Sequence, residues 1–396
     1  MNARAGDKDN SGACVDCLRR SWLLSALSAP LDCCARDRDR LMALLGLTDE
    51  QLIAAVGGRR KHELSAQYAA FAPDRLRRWR HVQALCHHRH GYPRLLSGPA
   101  APHLLNVAGG TDRLQALAAG PVVALVGSRR ASDYGMEMAR SLARGLAASG
   151  VTVASGLAEG IALAAHTGAL EGSGRPVAVL GSGLSTCPVA RRPLLQQVMR
   201  EGCAVSELPC ECSGRRWGQL ASQRTVVGLA ALTVVVEAHD TLEDLAPAKI
   251  ARALGRTVAA IPGRVTSPLS CGTNALLMDG ANLLRGAQDA LELLFGLDVA
   301  QTLAVAGANA STQSRAQGRA RACDERTCAL EPRLQRMLER VGAGNDTPQR
   351  LADERTDADE VLLALSELEL MGLLSRGDGG RYVPCRPLAP ATGPAC

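Results

Sequence analysis

From residue 121 to about 296 the chain repeats one rhythm. Short apolar runs, Val122–Val126, Val151–Ala154, Val177–Leu180, Ala204–Ser206, Leu232–Val236 and Val258–Ile261, are separated by segments of helical period such as YGMEMARSLARGLAASG and GIALAAHTGALEGSG. Parallel strands need a crossover of helix length between them, so strand and helix alternating in this way predict an α/β fold with a doubly wound parallel sheet. Most of the runs lead into small or polar residues: GSRRAS, SGLAEG, GSGLST, EAHDT and PGRVTSP. In such sheets ligands bind beyond the carboxyl ends of the strands, so these five loops fall on one functional edge.

The flanks read differently. Residues 1–100 are expected to be an N-terminal helical domain and connector. In RDRLMALLGLTDEQLIAAVGG, Thr48 and Asp49 stand where a helix is capped and Gly57-Gly58 where it ends. DRLRRWRHVQALCHHRHGYPRLL reads as an arginine-rich helix running into a Tyr-Pro turn. The Rossmann-like domain is expected over 101–298. Residues 299–330, rich in Ala, Ser, Gln and Arg without a period, read as a flexible linker. Over 331–386 three helical segments precede a hairpin with Gly-Asp-Gly-Gly at its tip, the parts of a winged-helix module; 387–396 is a tail.

Composition bounds the function. No apolar stretch approaches the roughly 20 residues of a membrane span, and the polar start MNARAGDKDNSG has no signal core behind it, so a cytoplasmic location with no membrane partner is expected. The net charge is +6, and only three of the 45 basic residues are lysines. Arginine binds phosphate bidentately and stacks on bases, although a GC-rich genome is the plainer reason for its abundance. Fourteen cysteines in a cytosolic chain of 396 residues do not make a disulfide scaffold.

Several chemistries fail on spacing. The turn after the first run of the repeat, Gly127-Ser-Arg-Arg-Ala-Ser, has one glycine, and the second run ends without a carboxylate, so the dinucleotide fingerprint is absent. A phosphate-binding loop of the triphosphatase type needs a lysine, and none occurs between Lys61 and Lys249. His166 reads as a packing histidine. Cys14 and Cys17 form C-x-x-C, but Cys33-Cys34 lacks ligand spacing, so no metal site and no cofactor are expected and Cys14 and Cys17 remain the one candidate pair. What is left is a row of small, polar and basic residues on the sheet edge: Gly127, Ser128, Arg129, Arg130, Ser132, Tyr134, Ser155, Gly156, Gly181, Ser182, Gly183, Arg224, Ser267 and Asn274. Arg129 and Arg130 repel each other at a helix N-terminus, which a bound anion would relieve; the plainer reading is two solvated loop arginines. Side chains rather than glycine backbone suit phosphates met singly along a strand. With three Trp, four Tyr and two Phe in the chain, stacking is expected to be minor beside electrostatics.

VALVGSRRASDYG, VTVASGLAEGIALAAHTGALEGSGRPVAVLGSGL, AVSELP and IPGRVTSPLSCGTNALLMDGANLL, occurring together in this order over about 104–296, resemble the DNA-processing protein A family (DprA, also called Smf). CVDCLRRSWLLSAL resembles some actinobacterial members. The resemblance implies an extended Rossmann-like fold that binds single-stranded DNA and is usually dimeric. It also implies loading of a RecA-type recombinase in transformation or recombination, with no enzymatic turnover. Three departures stand out. Ala162 replaces the carboxylate of the family's S-G-x-A-x-G-I-D. Ser222 replaces one of two arginines, the other surviving as Arg224. Glu243 and Asp244 stand where small residues are usual and are expected to repel a polyanion. The competing reading is a nucleotide-binding protein or nucleoside-monophosphate hydrolase. Such enzymes carry P-G-G-x-G-T-x-x-E, but Pro262-Gly263 here continues as Arg264-Val-Thr-Ser-Pro with no glutamate at that spacing.

Overall fold

A computed structural model describes residues 12–73, 81–96, 101–296, 331–342, 348–351, 358–370, 373–376 and 382–384. The chain divides into two compact units, Met1–Thr312 and Gln313–Cys396.

Among the described residues the first unit is built on nine strands: β1 (Val82–Cys86), β2 (Leu104–Ala108), β3 (Val122–Val126), β4 (Thr152–Gly156), β5 (Val177–Val179), β6 (Cys203–Ser206), β7 (Leu232–Val235), β8 (Thr257–Ala260) and β9 (Asn282–Leu283). Their order is β1-β2-β6-β5-β4-β3-β7-β8-β9. Pairing is parallel from β6 through β9; β2 is antiparallel to β6 and to β1, so β1 again runs with the rest. The central strands are apolar on both faces because both are covered. On one side Val122 and Ala124 meet Val226, Val227, Ala248 and Ala251 of the helices Arg216–Leu229 and Ala246–Ala253. On the other, Val123 and Leu125 meet Leu142 and Leu146 of the helix Asp133–Ala148 and Ile161 and Ala165 of the helix Ile161–Glu171.

The six strands expected from the sequence are all present, and the fold is the Rossmann-like α/β architecture. Three more strands join them. β1 corrects the helix expected through Val82–Cys86: its five residues pair in register with β2, from Val82 opposite Ala108 to Cys86 opposite Leu104. A run of five residues, VQALC, fits either period, and the pairing partner decides. The part of that expected helix over 74–80 lies outside the described residues.

The helices Val15–Ala26, Ser28–Cys34, Arg38–Leu45, Asp49–Val56 and Lys61–Ala69 occupy the first hundred residues. Thr48 and Gln51 form a reciprocal capping box at the start of Asp49–Val56. These helices share a core with the sheet's own layer: Leu23, Leu27, Leu31 and Leu41 bury against Trp217, Leu220 and Leu208. The fully buried Trp217 indole donates to Ser28 Oγ at 2.9 Å.

In the second unit the helices Pro332–Gly342, Pro348–Leu351 and Ala358–Leu370 pack with a two-stranded antiparallel ribbon, β10 (Leu374–Arg376) and β11 (Tyr382–Pro384). Its core is Leu334, Met337, Val341, Leu351, Val361, Leu365, Leu368, Leu374 and Tyr382. The expected linker 299–330, the hairpin tip 377–380 and the tail 387–396 lie outside the described residues. Among the described residues no helix is long and apolar enough to cross a membrane.

Candidate nucleic-acid interface

The loop after β3 answers to an internal anion. Glu237, just beyond β7, is buried, and its carboxylate accepts the Ser132 backbone N–H and the Ser132 hydroxyl, each at 2.7 Å. Ser132 Oγ in turn caps the helix Asp133–Ala148 by accepting Gly135 N–H. The Glu237 carbonyl accepts Ser128 N–H at 2.7 Å. A Cβ on Gly127 would stand 2.6 Å from that carbonyl, and one on Gly135 2.5 Å from the carboxylate, so both positions need glycine to let Glu237 in. The anion expected at this helix N-terminus is thus supplied by the protein, for the reason that made an external one plausible: orphan N–H groups at the start of a helix bind a carboxylate well. Arg129 and Arg130 remain exposed above it, with Arg130 N–H on Ser128 Oγ. Tyr134, 51 % exposed, ties this loop to the one after β8 by donating to Pro262 O at 3.2 Å.

Most of the other residues singled out in the sequence are engaged by the protein itself. Ser155 is fully buried and donates to Leu125 O at 2.6 Å. Gly156 O accepts Nε2–H of the buried His166 at 2.7 Å. Gly181 lies against the backbone of Gly218 and Gln219, and Gly183 against the carbonyls of Pro209 and Cys210, so these glycines admit neighbouring chain, not pyrophosphate. Ser182 is buried, its carbonyl accepting from Ser206 Oγ. Asn274 clamps Gly263 by both backbone groups, each at 3.2 Å, and Ser267 O accepts Ser270 N–H in the same loop. Arg224, expected on the DNA path, is 7 % exposed and ion-paired to the equally buried Glu207 beneath the N-terminal helices. Ser222 is buried beside it, with its hydroxyl on Gln219 O.

Sequence reasoning passed over the basic residues that do reach this edge. Arg192 begins the helix after β5, Arg215 and Arg216 begin the helix after β6, and Arg264 lies in the loop after β8; all four are exposed. Parallel topology brings the start of each of these segments to the carboxyl edge, a signal carried by the strand–helix alternation itself. The two acidic departures behave unlike each other. Glu243 lies 3.7 Å from Arg216 as an exposed pair. Asp244 is half-buried and accepts both the backbone N–H of His239 and its Nδ1 side, at 3.1 and 3.0 Å. Glu159 similarly accepts from Arg191 at 2.9 Å. Far along the same edge, Cys14 and Cys17 meet Cys86 and His88.

Residues 83–295 match the family model for DNA recombination-mediator protein A. That span is more than half of the chain. The chain belongs to this family. Among curated relatives it is 34% identical over 299 residues to protein Smf of Escherichia coli, covering 74% of this chain and 75% of that one. It is 42% identical over 172 residues to a putative DNA processing protein DprA of Mycobacterium tuberculosis, a match covering 43% of this chain and 44% of that protein. The chain thus matches under half the length of that relative. The X-ray structure of DNA processing protein A from Streptococcus pneumoniae superposes with a TM-score of 0.56 at 28% identity, covering 69% of this chain and 95% of that one. The family match begins within β1, so the helices before it and the second unit lie outside the span that the family model matches.

Proposed function

We propose that this DprA family member binds single-stranded DNA along the carboxyl edge of its sheet, acts as a homodimer, and delivers the strand to a RecA-type recombinase. The observation that carries the reading is the edge itself. Arg129, Arg130, Arg192, Arg215, Arg216 and Arg264 are exposed on four of its loops, while Gly127, Gly160, Gly181 and Gly183 on the same edge lie against protein backbone. Spaced guanidiniums suit a run of single phosphates; a wrapped cofactor would need open glycine backbone. The family name, DNA recombination mediator, supports the same class of partner. A binding protein fits better than a hydrolase: Glu159, Glu237, Glu243 and Asp244 on this edge all hold a protein partner. The test is a titration of the full chain with labelled oligo-dT and with nucleoside monophosphates across a salt series. Oligonucleotide binding that weakens steeply with salt is expected. Tighter binding of a monophosphate, or release of its base, would overturn the reading in favour of the hydrolase.

A further inference from the structure

Two short segments far apart in sequence carry soft metal donors to one point. Cys14 and Cys17 lie at the start of the helix Val15–Ala26, and Cys86 and His88 at the carboxyl end of β1. Their donor atoms all stand within 4.8 Å of one another. His88 Nδ1 is 3.2 Å from Cys14 Sγ and 3.5 Å from Cys17 Sγ. We infer that Cys14, Cys17, Cys86 and His88 form a Cys3His zinc site that clips the N-terminal helix to the first strand of the sheet.

The geometry is close to what zinc demands. Ligands at about 2.3 Å for sulfur and about 2.0 Å for nitrogen, set tetrahedrally, lie roughly 3.5–3.8 Å from each other. The four donors need only small side-chain rotations to reach that spacing. Three thiols with one imidazole favour zinc over the hard cations calcium and magnesium. The surroundings are arranged for it. Cys14 N–H donates to Cys86 Sγ at 3.4 Å, a contact that favours a thiolate there. Cys86 N–H donates to Gly12 O at 3.4 Å, so the chain entering the helix runs beside β1 and holds the C-x-x-C over the strand end. A Cβ on Gly12 would stand 2.9 Å from Ala84 O, which keeps that approach to glycine. His87 is the competing imidazole, but its Nδ1 faces the His103 carbonyl at 3.1 Å and is 3.9 Å from Cys17 Sγ. A carbonyl only accepts, so Nδ1 of His87 carries its proton there and is not a ligand.

Four protein ligands leave no open position, which makes the site structural rather than catalytic. Around it Ala13, Cys17, Cys86 and Leu104 form only a small apolar cluster, so the metal adds a constraint that packing there does not supply. Clipping residue 17 to residue 86 closes a long loop, and it fixes the turn after β1 at the same sheet edge as the arginines. The spacing C-x-x-C with C-x-H is legible only when β1 is known, because the second pair comes from a strand the sequence disguised as a helix.

Zinc is to be quantified per chain in the full-length protein, produced without a polyhistidine tag and purified in reductant. One zinc per chain is expected, retained through dialysis and released when an organomercurial titrates the thiols. Cys14→Ser with Cys17→Ser is expected to abolish retention, whereas Cys33→Ser with Cys34→Ser leaves it intact. His88→Ala is expected to lower retention and His87→Ala to leave it unchanged. Should the first double variant fail to fold, the wild-type measurement still decides. Reduced wild-type protein that lacks zinc and gives no tetrahedral cobalt–thiolate bands on adding Co2+ would overturn the site, as would a Cys14–Cys17 disulfide in protein isolated in reductant.

Discussion

At the scale of single residues, exposure separates the arginines that can meet a phosphate from the one that cannot. Arg129→Ala with Arg130→Ala removes two exposed guanidiniums above a loop whose backbone is held by Glu237. At about 1 kcal/mol for each charged contact at low salt, oligo-dT affinity is expected to fall roughly thirty-fold. The log–log salt slope is expected to flatten by about 1.4, at roughly 0.7 per phosphate lost. Anisotropy titrations in two salts measure both, and an unchanged slope in the folded variant would remove this loop from the DNA path. Glu243→Gln breaks an exposed pair, with an expected stability change under about 1 kcal/mol, and frees Arg216 for phosphate. Affinity is expected to rise a few-fold, most at low salt where screening is weak. Asp244, engaged with His239, is not expected to behave likewise. Arg224→Met is a different kind of change. It leaves Glu207 buried without its counter-charge, and a loss of about 3–5 kcal/mol in unfolding free energy is expected, partly restored by adding Glu207→Gln. Urea unfolding of the single and double variants checks this.

At the scale of elements, the sequence disclosed what repeats and hid what depends on a partner. The runs that became β3 to β8 are short, β-branched and bounded by glycine or polar residues, so burial on both faces could be read from them directly. β1 and β2 could not be read so, because VQALC is only a strand by virtue of its pairing. The candidate site divides along the same line. The position of the edge followed from topology, but the roles of its serines and glycines did not, since Glu237 lies 105 residues beyond Ser132 and no local pattern announces it. His166 was legible as a packing residue and proves to join two elements: it lies in the helix Ile161–Glu171, fully buried, and donates to Gly156 at the end of β4. Burial pushes its pKa down from the ordinary 6.5 to about 4, the bond to Gly156 opposing the shift. Between those values the unfolded chain binds a proton that the native state refuses. Stability from this residue is therefore complete above about pH 6.5 and lost as pH falls toward 4, by up to a few kcal/mol. The urea midpoint is expected to fall between pH 7 and pH 5, and His166→Gln is expected to reduce that fall. An equal fall in the variant would assign the acid sensitivity to other groups.

At the scale of the whole molecule, the two compact units are expected to divide the chemistry. Among its described residues the second unit has three helices and a two-stranded ribbon; in a DNA-reading winged-helix module, the kind expected from the sequence, the third helix enters the major groove. Here that helix, Ala358–Leu370, has the sequence ADEVLLALSELEL and no basic residue. Val361, Ala364, Leu365 and Leu368 are buried in the unit's own core, and Glu367 pairs with Arg333 at 2.8 Å. Glu360 and Glu369 are exposed, as are Leu362 (46 %) and Leu363 (54 %). Phosphates would be repelled by such a face, whereas adjacent exposed leucines flanked by carboxylates suit a protein surface. The first unit has its own sheet, two covering layers and the full set of edge arginines, so it is expected to fold and bind without the second. Deleting residues 313–396 is therefore expected to leave oligo-dT affinity within about two-fold, because no phosphate contact is lost. It is expected instead to change self-association in sedimentation, or capture of a RecA-type recombinase on immobilised single strands. The variant Leu362→Ser with Leu363→Ser, which keeps the unit's core, is expected to reproduce that change in the full chain. A large loss of DNA affinity in the folded truncation would place the second unit on the DNA.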